Sequence, residues 1–332
     1  MPAPFPHLDP PARGTVHQLR HESSALVGNP WRDPHVRDVF VYTPPGSDGR
    51  GLPAVLLLPG YSGTGEKLLA RGLSDMPISA RIDRLIAAGC PPFVAVMPDV
   101  MTSLGGCQYV DSPGIGNYAT WLADELVPYV DRTLGTSGRW GVAGRSSGGF
   151  GALHLALERP GRFDAVACHS GDLGFDLCYL ADLVPALRAW TAAGGVERFV
   201  AAFWAKDEPS AVDFAGLNWL CMACAYSGDA DRKPIPAHLP IDAAGVVDFD
   251  LLRSWSRFDP CVRDLAALRR LSLLFVDVGE RDEYGLQFGA RRFKRRLDEA
   301  AIPVTYEEYA GGHRGNLARW DKSLTALASA FR

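Results

Sequence analysis

The segment Gly144-Arg145-Ser146-Ser147-Gly148 sets a serine between small residues, after an apolar run ending at Ala143 and directly before a helical pattern. A tight strand-to-helix turn of this kind lifts a hydroxyl into the open, where it can attack a carbonyl carbon. Ser146 is the candidate nucleophile; a frame centred on Ser147 lacks the leading glycine. A serine hydroxyl is weak until a base takes its proton, so a histidine must reach it. His313, in Gly311-Gly312-His313-Arg314-Gly315-Asn316, falls on a loop between the last expected strand and the last helix, which suits the order serine, acid, histidine. Its rivals fit less well. His7, His17, His21 and His35 precede the core, His154 lies inside the helix after Ser146, His238 falls in a long central segment, and His169 reads as a packed, hydrogen-bonded strand end. The acid should follow the strand before His313, where Phe275 to Glu283 offers Asp277, Glu280, Asp282 and Glu283. Asp277 lies within the strand. Asp282, on the loop beyond Gly279, is the first choice for holding the imidazole, with Glu280 and Glu283 left open. A tetrahedral oxyanion needs two backbone donors. The Ser147 amide is one, and the Tyr61 amide in Pro59-Gly60-Tyr61-Ser62-Gly63 is the choice for the other.

These residues have to be brought together by the elements between them. Thr15 to Glu22 and Val36 to Tyr42 read as strands. Ala54 to Leu58 and Phe93 to Met97 are continuous apolar runs ended by Pro59-Gly60 and Pro98-Asp99, as expected of strands covered on both faces. Ile78 to Ala88 and Tyr118 to Leu134 have helical spacing. Strand Arg139 to Ala143, helix Ser147 to Leu157, strand Asp164 to Cys168, strand Leu271 to Val278, helix Gly285 to Ala300, strand Val304 to Glu308 and helix Leu317 to Phe331 complete the pattern. The alternation predicts an α/β protein with a mostly parallel central sheet and helices on both faces, whose ligands gather at the carboxyl ends of the strands. About 100 residues between His169 and Leu271 interrupt it. Helices at Leu180 to Ala193 and Val196 to Ala205, with aromatic residues and a proline-rich piece from Lys233 to Pro240, make 171–270 an insertion. It reads as a helical cap over the active site, or else as a peripheral addition with its own small core. The division expected is an N-terminal extension and first strand over 1–35, a core over 36–170 and 271–332, and this insertion.

The 332 residues carry a formal net charge of −4, with 47% hydrophobic and 22% charged residues. That composition suits a soluble globular fold and leaves no nucleic-acid footprint; the basic run Arg291 to Arg296 reads as a solvated helix face. Met1 to Arg13 is proline-rich without a signal-peptide pattern, and no stretch is apolar enough to span a membrane. Seven cysteines without regular spacing fit reduced thiols in a cytoplasmic protein. The lone Cys221-x-x-Cys224 pair reads as packed helix. Nothing calls for a metal or an organic cofactor.

At this point the chain resembles the Putative esterase family of α/β hydrolases, which includes esterase D, the enterochelin esterases and the antigen 85 mycolyltransferases. The resemblance rests on Val39 to Pro45, on Leu56 to Tyr61, on Asn117-Tyr118 followed by Glu125 to Asp131, on Ala143 to Ala152, on the loop with Gly279 and Asp282, and on Gly312-His313. It implies a triad of Ser146, Asp282 and His313 and an oxyanion hole from the amides of Tyr61 and Ser147. Two departures leave substrate choice open: Pro59-Gly60 stands where many members have His-Gly, and Gly171 to Arg270 is longer than in compact members.

The function expected is hydrolysis of a small-molecule carboxylic ester through an acyl-enzyme. Acyl transfer to an alcohol or sugar needs the same residues and stays open, as do a non-catalytic binding protein on this fold and a homo-oligomer.

Overall fold

The computed structural model describes residues 12–72, 75–242 and 244–332. The proline-rich start is therefore outside the described residues as far as residue 11. Ten strands are described: β1 (Thr15–Glu22), β2 (Val36–Thr43), β3 (Ala54–Leu58), β4 (Val94–Pro98), β5 (Asp111–Ser112), β6 (Gly116–Asn117), β7 (Trp140–Arg145), β8 (Ala165–His169), β9 (Leu273–Gly279) and β10 (Thr305–Tyr309). Eight form one sheet in the order β1-β2-β4-β3-β7-β8-β9-β10, and β5 and β6 make a small separate hairpin. β1 runs antiparallel to β2 and β2 to β4, while every neighbour from β4 through β10 is parallel.

The apolar runs behave as strands buried on both faces. In β3, Val55 and Leu57 pack into the core on one side of the sheet, with the helices Ile78–Ala87 and Arg319–Ala330, while Leu56 and Leu58 join the larger core on the other. That is the two-residue period of a pleated strand with hydrophobic neighbours above and below. The chain leaves β3 towards β4 on one side and returns to β7 on the other. The strand order thus reverses between β3 and β7, opening a crevice at their carboxyl ends.

Two findings refine the expected elements. The stretch Tyr118 to Leu134 is helical, but Trp121–Leu126 is a wide π turn. Pro128 lies two residues beyond and has no N–H for the carbonyl four residues before it, a local reason for the ladder to widen there. The stretch between β8 and β9 also contains a further helix, Ala211–Tyr226, closed at its start by a Ser210/Asp213 capping box. It pairs with Leu180–Ala192, whose Trp190 Nε1 donates to Gly216 O at 3.2 Å. Insertion side chains do not stand apart from the sheet's core. Phe175 and Tyr226 lie edge-on to Phe150 of the helix after Ser146, at 5.4 and 6.2 Å between ring centres, in the same cluster of buried residues. All seven cysteines are buried and unpaired, Cys221 and Cys224 among them. No helix among the described residues is long and apolar enough to cross a membrane.

Candidate active site

Ser146 follows β7 directly and precedes the helix Ser147–Glu158, with φ 58° and ψ −128°. A non-glycine residue in this region carries strain on the order of 1–3 kcal/mol and persists only where its surroundings hold it. Here Ser146 N donates to His169 O at 2.9 Å, and Ser146 O accepts from the amides of Gly149 and Phe150. The flanking glycines are required by contact. A Cβ on Gly144 would stand 2.0 Å from Gly148 O, and one on Gly148 would stand 2.3 Å from Leu58 O and 2.5 Å from Pro59 O.

The loops after β9 and β10 bring the other two candidates alongside. His313 Nε2 lies 3.1 Å from Ser146 Oγ, and His313 Nδ1 lies 2.8 Å from Asp282 Oδ2. A carboxylate only accepts, so Nδ1 carries the proton and Nε2 is free to take the one on Ser146. Asp282 is buried, and its other oxygen accepts from Tyr284 N at 3.0 Å. Glu283, one of the alternative acids, serves the backbone instead, its Oε2 accepting from the His313 N–H at 2.6 Å. Glu280 is not in contact with the imidazole in any described hydrogen bond or ion pair. The His313 carbonyl accepts from Arg145 and, at 3.1 Å, from Asn316. Tyr284 packs its ring edge-on to the imidazole at 5.0 Å.

Another Ser–His–Asp chain lies nearby. His169 Nδ1 is 2.7 Å from Asp277 Oδ1 and its Nε2 is 2.7 Å from Ser323 Oγ, while Arg319 Nε donates to Asp277 Oδ2. Ser323 is 0% exposed, so no substrate can reach it. His169 is the packed histidine that the sequence suggests.

Ser146 opens into a cavity of about 630 Å³ that is also lined by Gly60, Tyr61, Ser147 and His313. The Ser147 amide is the first of its helix, where N–H groups have no intrahelical partner. Gly60 brings the loop after β3 against the nucleophile: a Cβ there would be 3.3 Å from Ser146 Cβ. The Tyr61 N–H has no hydrogen-bond partner among the described residues. The stretch between β8 and β9 also lines the cavity, through Tyr179, Asp182, Phe214, Asn218, Trp219 and Met222.

Asp172, also on the cavity, was not singled out in the sequence. Burial pushes its carboxyl up to about 6, against the pull of nearby His313 and of the Tyr179 hydroxyl, which donates to it at 3.4 Å. The only sequence signal for it is its place just beyond the carboxyl end of β8.

The described residues hold no cluster of histidine, cysteine and carboxylate side chains that could bind a metal ion.

Comparison with known proteins agrees with this architecture. The structure is similar to an S-formylglutathione hydrolase from Agrobacterium tumefaciens, with a TM-score of 0.59 at 17% identity over 98% of each chain. It is similar to a ferulic acid esterase from Anaeromyces mucronatus, with a TM-score of 0.56 at 14% identity over 99% of this chain and 97% of the other. An S-formylglutathione hydrolase from Staphylococcus aureus gives 0.54 at 14% identity, over 97% of this chain and all of the other. At such identities the likeness speaks for the fold. No curated protein matches in sequence. The family model described as Putative esterase matches residues 34–331. The chain therefore belongs to the Putative esterase family and has the α/β-hydrolase fold.

Proposed function

We propose that the protein hydrolyses carboxylic esters through an acyl-enzyme formed on Ser146. His313 takes the Ser146 proton as the oxygen attacks the ester carbonyl, and Asp282 holds the imidazole in the required tautomer and steadies its positive charge. The amides of Tyr61 and Ser147 receive the oxyanion of the tetrahedral intermediate. His313 then hands its proton to the departing alcohol, and water activated by the same imidazole releases the acid. The observation that carries the reading is the continuous hydrogen-bonded chain from Ser146 Oγ through His313 to the buried Asp282 carboxylate.

The insertion 171–270 acts as a cap that shapes the substrate pocket. Support comes from Tyr179, Phe214 and Trp219, which line the same cavity as Ser146. The seven unpaired thiols support a reducing, cytoplasmic setting. The relatives named for ferulic acid and for S-formylglutathione provide the first substrates to try beside a series of p-nitrophenyl esters. A fluorophosphonate should label the wild type at Ser146, and Ser146→Ala should lose both labelling and at least ~1,000-fold in kcat. Wild-type turnover by Ser146→Ala would end the proposal.

A further inference from the structure

The loop between β4 and the β5–β6 hairpin has no chemical role in the proposed reaction, yet its contacts converge on the backbone that would hold the oxyanion. The Tyr109 hydroxyl donates to the Pro59 carbonyl. The Ser62 N–H donates to Gly105 O at 2.8 Å, and the Tyr61 hydroxyl donates to Leu104 O at 2.8 Å. Between these anchors, Gly63 N–H donates to Gly60 O at 2.9 Å. A trans peptide keeps its C=O and N–H on opposite edges, so holding Gly60 O in that turn also fixes where the Tyr61 N–H points.

Tyr109 reaches a second element. Its ring lies across the helix after Ser146, so close that a Cβ on Gly151 would be 2.4 Å from its Cγ. The residue is 2% exposed. Gln108 and Tyr109 both adopt left-handed backbone, at φ 50° and 58°. Non-glycine residues rarely take that conformation, and it persists where neighbouring contacts enforce it.

We infer that Tyr109 is a positioning residue for the oxyanion hole: its ring rests on the helix that carries the Ser147 amide, and its hydroxyl holds the loop that carries the Tyr61 amide. One side chain thereby sets the spacing of the two donors. The inference rests on the oxyanion-hole reading above. Donors of this kind act when they lie 2.7–3.1 Å from the oxyanion itself, so a small shift weakens the transition state more than the bound ester.

The test is Tyr109→Phe, which removes the hydroxyl and keeps the ring on Gly151. Rates are expressed per site titrated with a fluorophosphonate, so that any unfolded fraction drops out. Expected are a fall in kcat of about tenfold, KM within about twofold, and an equal loss of affinity for a boronic acid that mimics the tetrahedral adduct. Binding of the carboxylic acid product should be unchanged. Wild-type kcat and boronate affinity in Tyr109→Phe would overturn the positioning role, and so would a rise in KM that accounts for the whole loss. If Tyr109→Phe does not fold, Tyr61→Phe, which frees the same loop from Leu104 and keeps its amide, should give the same pattern, and wild-type values there overturn the inference. Ser146→Ala, measured in parallel, separates the failures: an inactive Ser146→Ala beside an unaffected Tyr109→Phe sinks the role of Tyr109 alone.

Discussion

Asp172 shows what a carboxyl experiences when it faces a cavity and burial outweighs the pull of a neighbouring imidazole. Its ionisation is pushed up to about 6 chiefly by burial. The native state therefore keeps a proton between roughly pH 4 and 6 that the unfolded chain has given up. Stability is lost as pH rises through that window and stays lost above it. Asp172→Asn should match the wild type in thermal midpoint near pH 4 and exceed it at pH 8, as scanning calorimetry would show; equal midpoints at both values would mean that the carboxyl is well solvated. Ser146, Asp282 and His313 were legible as residues because each falls at a loop that follows a strand, in an order this chemistry requires. Asp172 was not, since a lone aspartate after a strand looks the same whether it meets water or a pocket. The part played by Glu283 was equally hidden, because it depends on which atom of the neighbouring loop the carboxylate reaches.

At the scale of elements, the turn from β7 into its helix demands the most of local structure. Gly148 lets the helix touch the end of β3, and the 2.3 Å separation from Leu58 O leaves no room for a methyl group. Gly148→Ala should cost more than ~3 kcal/mol in chemical denaturation, in the range of severe core disruption. Any folded fraction should lose on the order of 100-fold in kcat, because the loop displaced is the one carrying Tyr61. Near-normal stability in that variant would show that the two elements can part without penalty. The strands of the sheet were readable almost to the residue, because runs such as Ala54–Leu58 are bounded by proline and glycine. The Ala211–Tyr226 helix was read only in part. It is apolar on nearly every side, so its periodicity is faint, although the Ser210/Asp213 cap marks its start.

Across the whole molecule, the sequence conveyed the sheet and the interruption in it but not how the interruption would sit. Helical spacing says which residues share a face and nothing about which distant face they meet, and the contact of Phe175 and Tyr226 with Phe150 is of that long-range kind. The seven enclosed sulfhydryls make that contact measurable. Burial pushes each of their ionisations upward, so few thiolates are present to react and an alkylating reagent can enter only when the surrounding chain opens. Cys178, Cys221, Cys224 and Cys261 belong to the inserted stretch, and Cys90, Cys107 and Cys168 to the sheet and its loops. If both regions open as one cooperative body, iodoacetamide in dilute urea should modify the two groups at a common rate, read by mass spectrometry of tryptic peptides. Faster modification of the first group would reveal that residues 171–270 open by themselves, and the protein's own sulfhydryls would have reported its weakest seam without any cysteine being engineered into it.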